Sequence, residues 1–216
     1  MPRLRGGDRG AAMNAFDIVI PCKGLASGKS RLSDVLTPRE RENLCRRLLS
    51  RTVGIAIAAA GRERVTVVSA DPRVRGIAAL LGASVLDDGG RGLNEALTLA
   101  DTAIRDAAAP RGLMVLPIDL PLVTVDLLRE AAARTQAVGI APDTAGTGTN
   151  LLVLGPEVRG GFPFAFGPGS FRLHREAGLA LGAPVTVLRH AHLAFDLDRP
   201  ADLSALSALK IGDSRR

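Results

Sequence analysis

Three aspartates carry the strongest chemical signal in this sequence. One lies in Pro117-Ile118-Asp119-Leu120-Pro121, and two alternate in Phe195-Asp196-Leu197-Asp198. Prolines on both sides stiffen the first segment, so Asp119 is presented directly after a short apolar run. In an extended chain residues i and i+2 point to one side, so Asp196 and Asp198 share a face. Carboxylates gathered this way suit Mg²⁺, which takes one or two of them together with substrate phosphates. Each also has an ordinary role open to it. For Asp119 this is a loop hydrogen bond or a helix cap; Asp198 could cap the helix after Pro200. Side by side, the two segments would hold one or two metal ions for phosphoryl-transfer chemistry.

Such chemistry also needs cations for the phosphates. Lys23-Gly24-Leu25-Ala26-Ser27-Gly28-Lys29-Ser30-Arg31 supplies three of them among small residues. The loop imitates G-x-x-x-x-G-K-[ST], but the first glycine of that motif would fall on Lys23. The chain also turns again through Ser33 and Thr37 before its helix, where a phosphate-binding P-loop runs straight on. What remains is a loop whose small residues let the backbone approach a ligand. Its Lys23, Lys29 and Arg31 can neutralise a triphosphate, with a solvated basic loop as the plain alternative.

Two further loops suit anions. Thr144-Ala145-Gly146-Thr147-Gly148-Thr149-Asn150 offers hydroxyls and backbone N–H groups. Phe166-Gly167-Pro168-Gly169-Ser170-Phe171 precedes a helix, with Ser170 expected at its N-cap, and a helix N-terminus attracts anions. Asn94 opens a helix after Asp88-Gly89-Gly90, either to read a base or ribose edge or to close its own turn. His174 is expected on an exposed helix face, and His190 and His192 form no ligand pattern. Cys22 and Cys45 have neither metal spacing nor a partner for thiol catalysis.

The elements that must position these residues alternate regularly. Apolar runs predict strands at 16–21, 64–69, 84–86, 113–118, 138–141, 151–154 and 185–188. Helical patterns fall at about 38–60, up to 81, 92–108, 124–135, 170–181 and 200–209. Thr37-Pro38-Arg39-Glu40 reads as a capping box with proline in the first turn, and Gly61 ends that helix. Several strands are continuously apolar, which predicts an α/β fold around a mostly parallel sheet. Ligands of such sheets bind beyond the carboxyl ends of the strands, where the candidate residues lie. No internal repeat or linker divides the chain. Residues 1–14 are expected to be a disordered extension, 15–210 the domain and 211–216 a basic tail. Met13 is an alternative start.

The 216-residue chain is 46% hydrophobic and 23% charged, as expected for a globular domain. Aromatics are 3%, with no Trp or Tyr, which argues against stacking platforms for single-stranded nucleic acid. The net charge of +6 suits an anionic partner, yet much of it sits in Arg-rich termini and in 39–51, and an Arg-preferring coding bias accounts for it equally well. No apolar run approaches a membrane span and no secretory h-region opens the chain, so a cytoplasmic protein without membrane or nucleic-acid partners is expected.

The ordered segments IPCKGLASGKSRLSDVL, GLNEAL, PIDLPL, GTGTNLLVL, FGPGSFRLH and FDLDRPADL resemble the CofC/FbiD family. Its members are guanylyltransferases of coenzyme F420 biosynthesis, acting on phosphoenolpyruvate or phospholactate. The similarity runs from about Asp17 to Leu206. It implies a single-domain, Rossmann-like nucleotidyltransferase fold of the nucleotide-diphospho-sugar transferase type, with helices on both faces of the sheet. It further implies metal binding by Asp119, Asp196 and Asp198, and acceptor binding by Thr149, Gly167 and Ser170. Lys23, Lys29 and Arg31 would take the nucleotide phosphates, with Asn94 near the nucleoside and Asp119, Lys29 and Lys23 central to catalysis.

The reaction so implied is transfer of GMP from GTP, with Mg²⁺, to the phosphate of a three-carbon phospho-acid. Phosphoenolpyruvate is favoured by the Ala/Arg-rich, bacterial-looking composition, beside 2-phospho-L-lactate and 3-phospho-D-glycerate. Pyrophosphate would leave and the product pass to the next transferase of the pathway; a homodimer is left open. A molybdenum-cofactor or sugar-phosphate nucleotidyltransferase would usually carry an L-x-G-G-x-S-x-R loop, which KGLASGKSRL does not match. A non-catalytic nucleotide-binding module would have no need of all three aspartates.

Overall fold

The apolar runs become the strands of one seven-stranded sheet in the computed structural model, which describes residues 16–107 and 111–213. In chain order the elements are β1 (Phe16–Pro21), α1 (Pro38–Ala60), β2 (Val65–Val68), α2 (Pro72–Leu80) and β3 (Ser84–Leu86). Next come α3 (Leu93–Ala107), β4 (Gly112–Val115), α4 (Val125–Arg134), β5 (Val138–Pro142) and β6 (Thr149–Leu154). The chain continues with α5 (Pro156–Arg159), α6 (Ser170–Ala180), β7 (Val185–Val187), α7 (Ala191–Ala194) and α8 (Pro200–Asp213). The expected extension, residues 1–14, lies outside the described residues. Of the expected tail, 211–213 continue α8 and 214–216 lie outside.

Strand order is β3-β2-β1-β4-β6-β5-β7. β1 pairs in parallel with β2 and β4, β2 with β3, and β5 with β7, while β6 runs antiparallel to both its neighbours. The sheet is thus mostly parallel, as the unbroken apolar runs predict. Alternate residues serve opposite faces. Ile18 and Ile20 of β1 pack with Leu49, Val53 and Ala56 of α1 and Leu128 of α4. Val19 points the other way, into a cluster with Leu97 and Ala100 of α3 and Phe171 and Ala177 of α6. Helices therefore cover both faces. Full burial of one such Leu, Ile or Val side chain contributes roughly 1.5–3 kcal/mol.

Helix boundaries follow the capping chemistry. The Thr37 hydroxyl accepts from the Glu40 N–H while the Glu40 carboxylate accepts from the Thr37 N–H, and Pro38 opens α1. Gly61 closes it at φ 93°, a region that disfavours any side chain. Asp71 caps α2 and Thr124 caps α4 through side-chain oxygens.

Some of the differences from expectation bear on the site. β4 ends at Val115, so Asp119 lies in a turn beyond the sheet and not directly on a strand end. Prolines 117 and 121 remove two backbone donors there, and the pairing stops early. Ser170 is the first residue of α6, and Gly169 at φ 72° takes the N-cap. The four-residue helices α5 and α7 were not predicted, because one turn carries no apolar period.

All the parallel strands deliver their carboxyl ends to one edge. β6 starts at that edge, because its antiparallel register sets Leu152 opposite Val115 and leaves Thr149 and Asn150 beyond the end of β4.

Candidate active site

The two aspartate segments do lie side by side. The backbone N–H of Leu197 donates to the carbonyl of Asp119 at 2.9 Å, and the Leu197 side chain is fully buried between its acidic neighbours. The segment is a connection between α7 and α8, not a strand end. Lys29 completes the arrangement from the far end of the chain. Its ammonium lies 3.3 Å from Asp119 Oδ2 and 3.8 Å from Asp198 Oδ1, with only 6% of the side chain exposed. An ammonium so deeply withdrawn from water needs such counter-charges. Arg31, mostly exposed, pairs with the other Asp198 oxygen. Asp198 does not cap α8; the Asp202 carboxylate does, accepting from the N–H groups of Asp198 and Arg199.

The basic loop is fastened and not merely solvated. Leu25 and Leu32 are fully buried, and the Leu25 N–H donates to Asp71 Oδ2 at 3.1 Å. Lys29 has φ 56°, and no other non-glycine residue among those described has a positive φ. A left-handed non-glycine residue stores about 1–2 kcal/mol, here spent on aiming the ammonium between two carboxylates. Gly28 makes this geometry fit: a Cβ there would sit 2.5 Å from Cys45 Sγ. Gly28→Ala is therefore expected to displace Lys29 and lower kcat/KM by roughly 10- to 100-fold, as small misplacements do. Adding Cys45→Ala, which removes the clashing sulfur, should restore most of it; steady-state kinetics of both variants provide the check.

Asp196 sits behind this pair. Burial raises its pKa, the charge of Asp119 adds to the rise, and a hydrogen bond from the Asn150 side chain opposes it, with Asp198 adding a further push. The negative charges of Asp119 and Asp198 thus disfavour ionisation of Asp196. Among the described residues no three acidic, thiol or imidazole side chains form a ready metal cage. A divalent ion that takes one or two carboxylates and fills its shell with phosphate oxygens and water fits this donor set.

At the same edge of the sheet a cleft of about 390 Å³ opens between the end of β1 and the start of α3, lined by Cys22, Lys23, Val68, Asp88, Gly90 and Leu93 among others. Lys23 stands exposed at this cleft, and it joins none of the ion pairs of the carboxylate cluster. Asn94 turns elsewhere. Its amide donates to the Phe166 carbonyl at 3.1 Å and its oxygen accepts from the Phe166 N–H at 2.8 Å. Both ends of Asn94 thus fasten the 162–169 segment to α3, and neither closes its own turn.

That segment leads into a second constellation. Gly167 adopts φ 131°, out of reach of ordinary side chains, and accepts from the Ser170 N–H. Ser170 is buried, and its Oγ accepts from the Thr149 N–H at 2.9 Å. Phe171 N–H donates to the Thr147 carbonyl, so the Thr-rich loop and the start of α6 are stitched together. His174, expected on an exposed face, is fully buried, with Nδ1 3.0 Å from Thr149 Oγ1. Burial holds its pKa down at about 4, so the ring is neutral at pH 7. Thr149, Gly167 and Ser170 therefore do converge at the sheet edge that also carries the aspartates.

Sequence reasoning overlooked Asp71, which holds the basic loop, and Asp143, whose carboxylate accepts from the Thr147 N–H. It also misplaced His174. The available signal was spacing: Ser170 and His174 stand at i and i+4, one face of a helix. Burial pushes the Cys22 thiol up to about 12 and raises Cys45 as well, which leaves both protonated and unsuited to nucleophilic work.

Known proteins are similar to this chain in sequence and in fold. The family model described as "Guanylyl transferase CofC like" matches residues 16–211. A phosphoenolpyruvate guanylyltransferase of Rubrobacter xylanophilus is 45% identical over 193 residues, covering 88% of this chain and 92% of the relative. One from Sphaerobacter thermophilus is 39% identical over 194 residues, covering 88% and 91%. Among solved structures, a nucleotidyl transferase from Methanothermobacter thermautotrophicus superposes with a TM-score of 0.64 over 93% of this chain and 99% of its own, at 14% identity. The shared fold is that of nucleotidyltransferases, and the chain belongs to the CofC-like guanylyl transferase family.

Proposed function

We propose that the protein transfers GMP from GTP to the phosphate of a three-carbon phospho-acid, phosphoenolpyruvate before 2-phospho-L-lactate or 3-phospho-D-glycerate, with release of pyrophosphate. The observation that carries this reading is the buried ammonium of Lys29 between Asp119 and Asp198 at the carboxyl edge of the sheet. The names of the similar relatives supply the substrate pair.

Lys29 and Arg31 would neutralise the triphosphate, and Lys23 would meet it from the cleft that takes the nucleoside. Thr149, Gly167 and Ser170 would orient the acid so that its phosphate oxygen attacks the α-phosphorus in line. A phosphate is already ionised at neutral pH, so no general base is needed, and positioning with charge neutralisation accounts for the catalysis. Asp119 and Asp198, with Asp196 behind them, would hold Mg²⁺, which when bound neutralises charge on the phosphate oxygens. The guanosine diphospho-linked product would go to a downstream transferase of coenzyme F420 biosynthesis. A cytoplasmic enzyme, monomer or homodimer, accords with this; among the described residues no helix is long and apolar enough to cross a membrane.

The test is pyrophosphate release from GTP and Mg²⁺ with each of the three acids in turn. Release that depends on GTP and on one acid is the expected result. No release with any of them, from folded protein, would turn the assignment toward another nucleotidyltransferase or a binding module. Ser170→Ala should raise the KM for the acid roughly 10-fold and leave that for GTP unchanged. The substitution strips the buried Thr149 N–H of its acceptor, a loss of about 1–3 kcal/mol.

A further inference from the structure

We propose that His174 is a positioning residue, which sets the hydroxyl rotor of Thr149 so that its proton is offered to an oxyanion of the acceptor. The inference rests on the reading of Thr149 as an acceptor contact.

The argument is one of donors and acceptors. His174 Nε2 lies 3.0 Å from the backbone nitrogen of Ala165. An amide N–H can only donate, so Nε2 must be the bare, accepting nitrogen. A neutral imidazole then carries its single hydrogen on Nδ1. Nδ1 is 3.0 Å from Thr149 Oγ1, so the ring donates and the hydroxyl oxygen accepts. The threonine proton is thereby turned away from the ring and must find a partner elsewhere. Among the described residues the hydroxyl has no second hydrogen-bond partner.

The surroundings hold this choice in place. Phe166 and Phe162 flank the imidazole at centroid distances of 4.8 and 5.8 Å, and the ring is fully buried. Its neutral form persists at pH 7 because burial disfavours the cation. One turn earlier on the same helix face, Ser170 Oγ takes the backbone N–H of Thr149. The helix thus grips Thr149 at two points, and through Ala165 it also ties down the segment that leads to Gly167. A hydroxyl aimed in this way selects a carboxylate or phosphate oxygen and discriminates against a donor group at the same place.

Two substitutions separate positioning from packing. In His174→Asn the amide nitrogen can take the place of Nδ1 and donate to Thr149, leaving Ala165 without its acceptor. In His174→Gln the longer side chain can reach the place of Nε2 and accept from Ala165, leaving the threonine rotor free. We expect the Asn variant to keep the acid KM within about 3-fold and the Gln variant to raise it about 10-fold, the size of one hydrogen bond. The KM for GTP should hold in both. An unchanged acid KM in the Gln variant, or an equal rise in both, would overturn the inference. Thr149→Val distinguishes its foundation: an unchanged acid KM there removes Thr149 from the acceptor site. A raised KM for that variant beside a silent His174→Gln removes only the role of His174. Imidazole ¹⁵N chemical shifts of the unaltered protein give a check independent of any variant. The Nδ1–H tautomer is expected, and an Nε2–H tautomer would refute the proposal.

Discussion

Asp119→Asn should lower the turnover of GTP by about 10²- to 10³-fold, the loss seen when one preorganised charge-stabilising group is removed from an active site. The side chains are nearly isosteric, and Asp198 remains as a counter-charge for the buried Lys29 ammonium, so the fold is expected to persist. It is the backbone carbonyl of Asp119 that receives the Leu197 N–H and holds the two acidic segments together, and the substitution keeps it. What disappears is the nearer counter-charge of the buried Lys29 ammonium and one of the charges raising the pKa of Asp196. Asparagine can still accept from Lys29 but brings no negative charge for a cation. The Asp196 pKa should accordingly move down, and the affinity for Mg²⁺ should fall along with kcat. Pyrophosphate release over a Mg²⁺ series, with thermal melting as a control, measures both. A kcat within a few-fold of the unaltered enzyme at low Mg²⁺ would remove Asp119 from the chemistry.

The fold was legible wherever local chemistry decided it. The capping box at Thr37, the stop at Gly61 and the alternation of apolar strands with amphipathic helices each act over a few residues, so they can be read along the chain. The site was legible as a set of segments: PIDLP and FDLD stood out as acidic, and the Leu197 N–H bonded to the Asp119 carbonyl sets them side by side. Side-chain partnerships across the fold were not legible. Asn94 looked free to contact a nucleoside, yet Phe166, 72 residues away, takes both ends of its amide. His174 looked exposed on a polar helix face, yet Phe162 and Phe166 from the preceding segment close over it. Ser170 looked like a cap, since serine before an apolar helix usually is one, until Gly169 took the left-handed position and turned the hydroxyl inward to Thr149.

Arg159→Met should destabilise the protein by about 3–5 kcal/mol while leaving kcat essentially unchanged, the usual consequence of removing one partner of a buried ion pair. Arg159 is on the four-residue α5, with 1% of its side chain exposed. Its Nη1 donates to Asp17 Oδ2 at 2.8 Å and to the carbonyls of Arg111 and Gly112 at 3.0 and 3.2 Å, and its Nε pairs with Asp101. Asp17 interrupts the otherwise apolar strand β1, and Asp101 sits on the inner face of α3; each is 4% exposed. With methionine at 159, which nearly matches the volume but carries no charge, both carboxylates lose their main buried counter-ion. Arg111 and Arg105, at 3.7 and 3.1 Å from them, are more exposed and compensate only in part. The urea midpoint should fall with an unchanged slope. Adding Asp17→Asn and Asp101→Asn to Arg159→Met should recover most of the loss, because the stranded charges are then gone. Asp17 and Gly112 mark the starts of β1 and β4, at the edge of the sheet opposite the one that carries Lys29, Asp119 and Thr149. A variant that lost activity in step with its stability well below its melting temperature would therefore show that the two edges are coupled. The independence expected here follows from a rigid sheet between them, whose β1 and β4 strands are buried along almost their whole length.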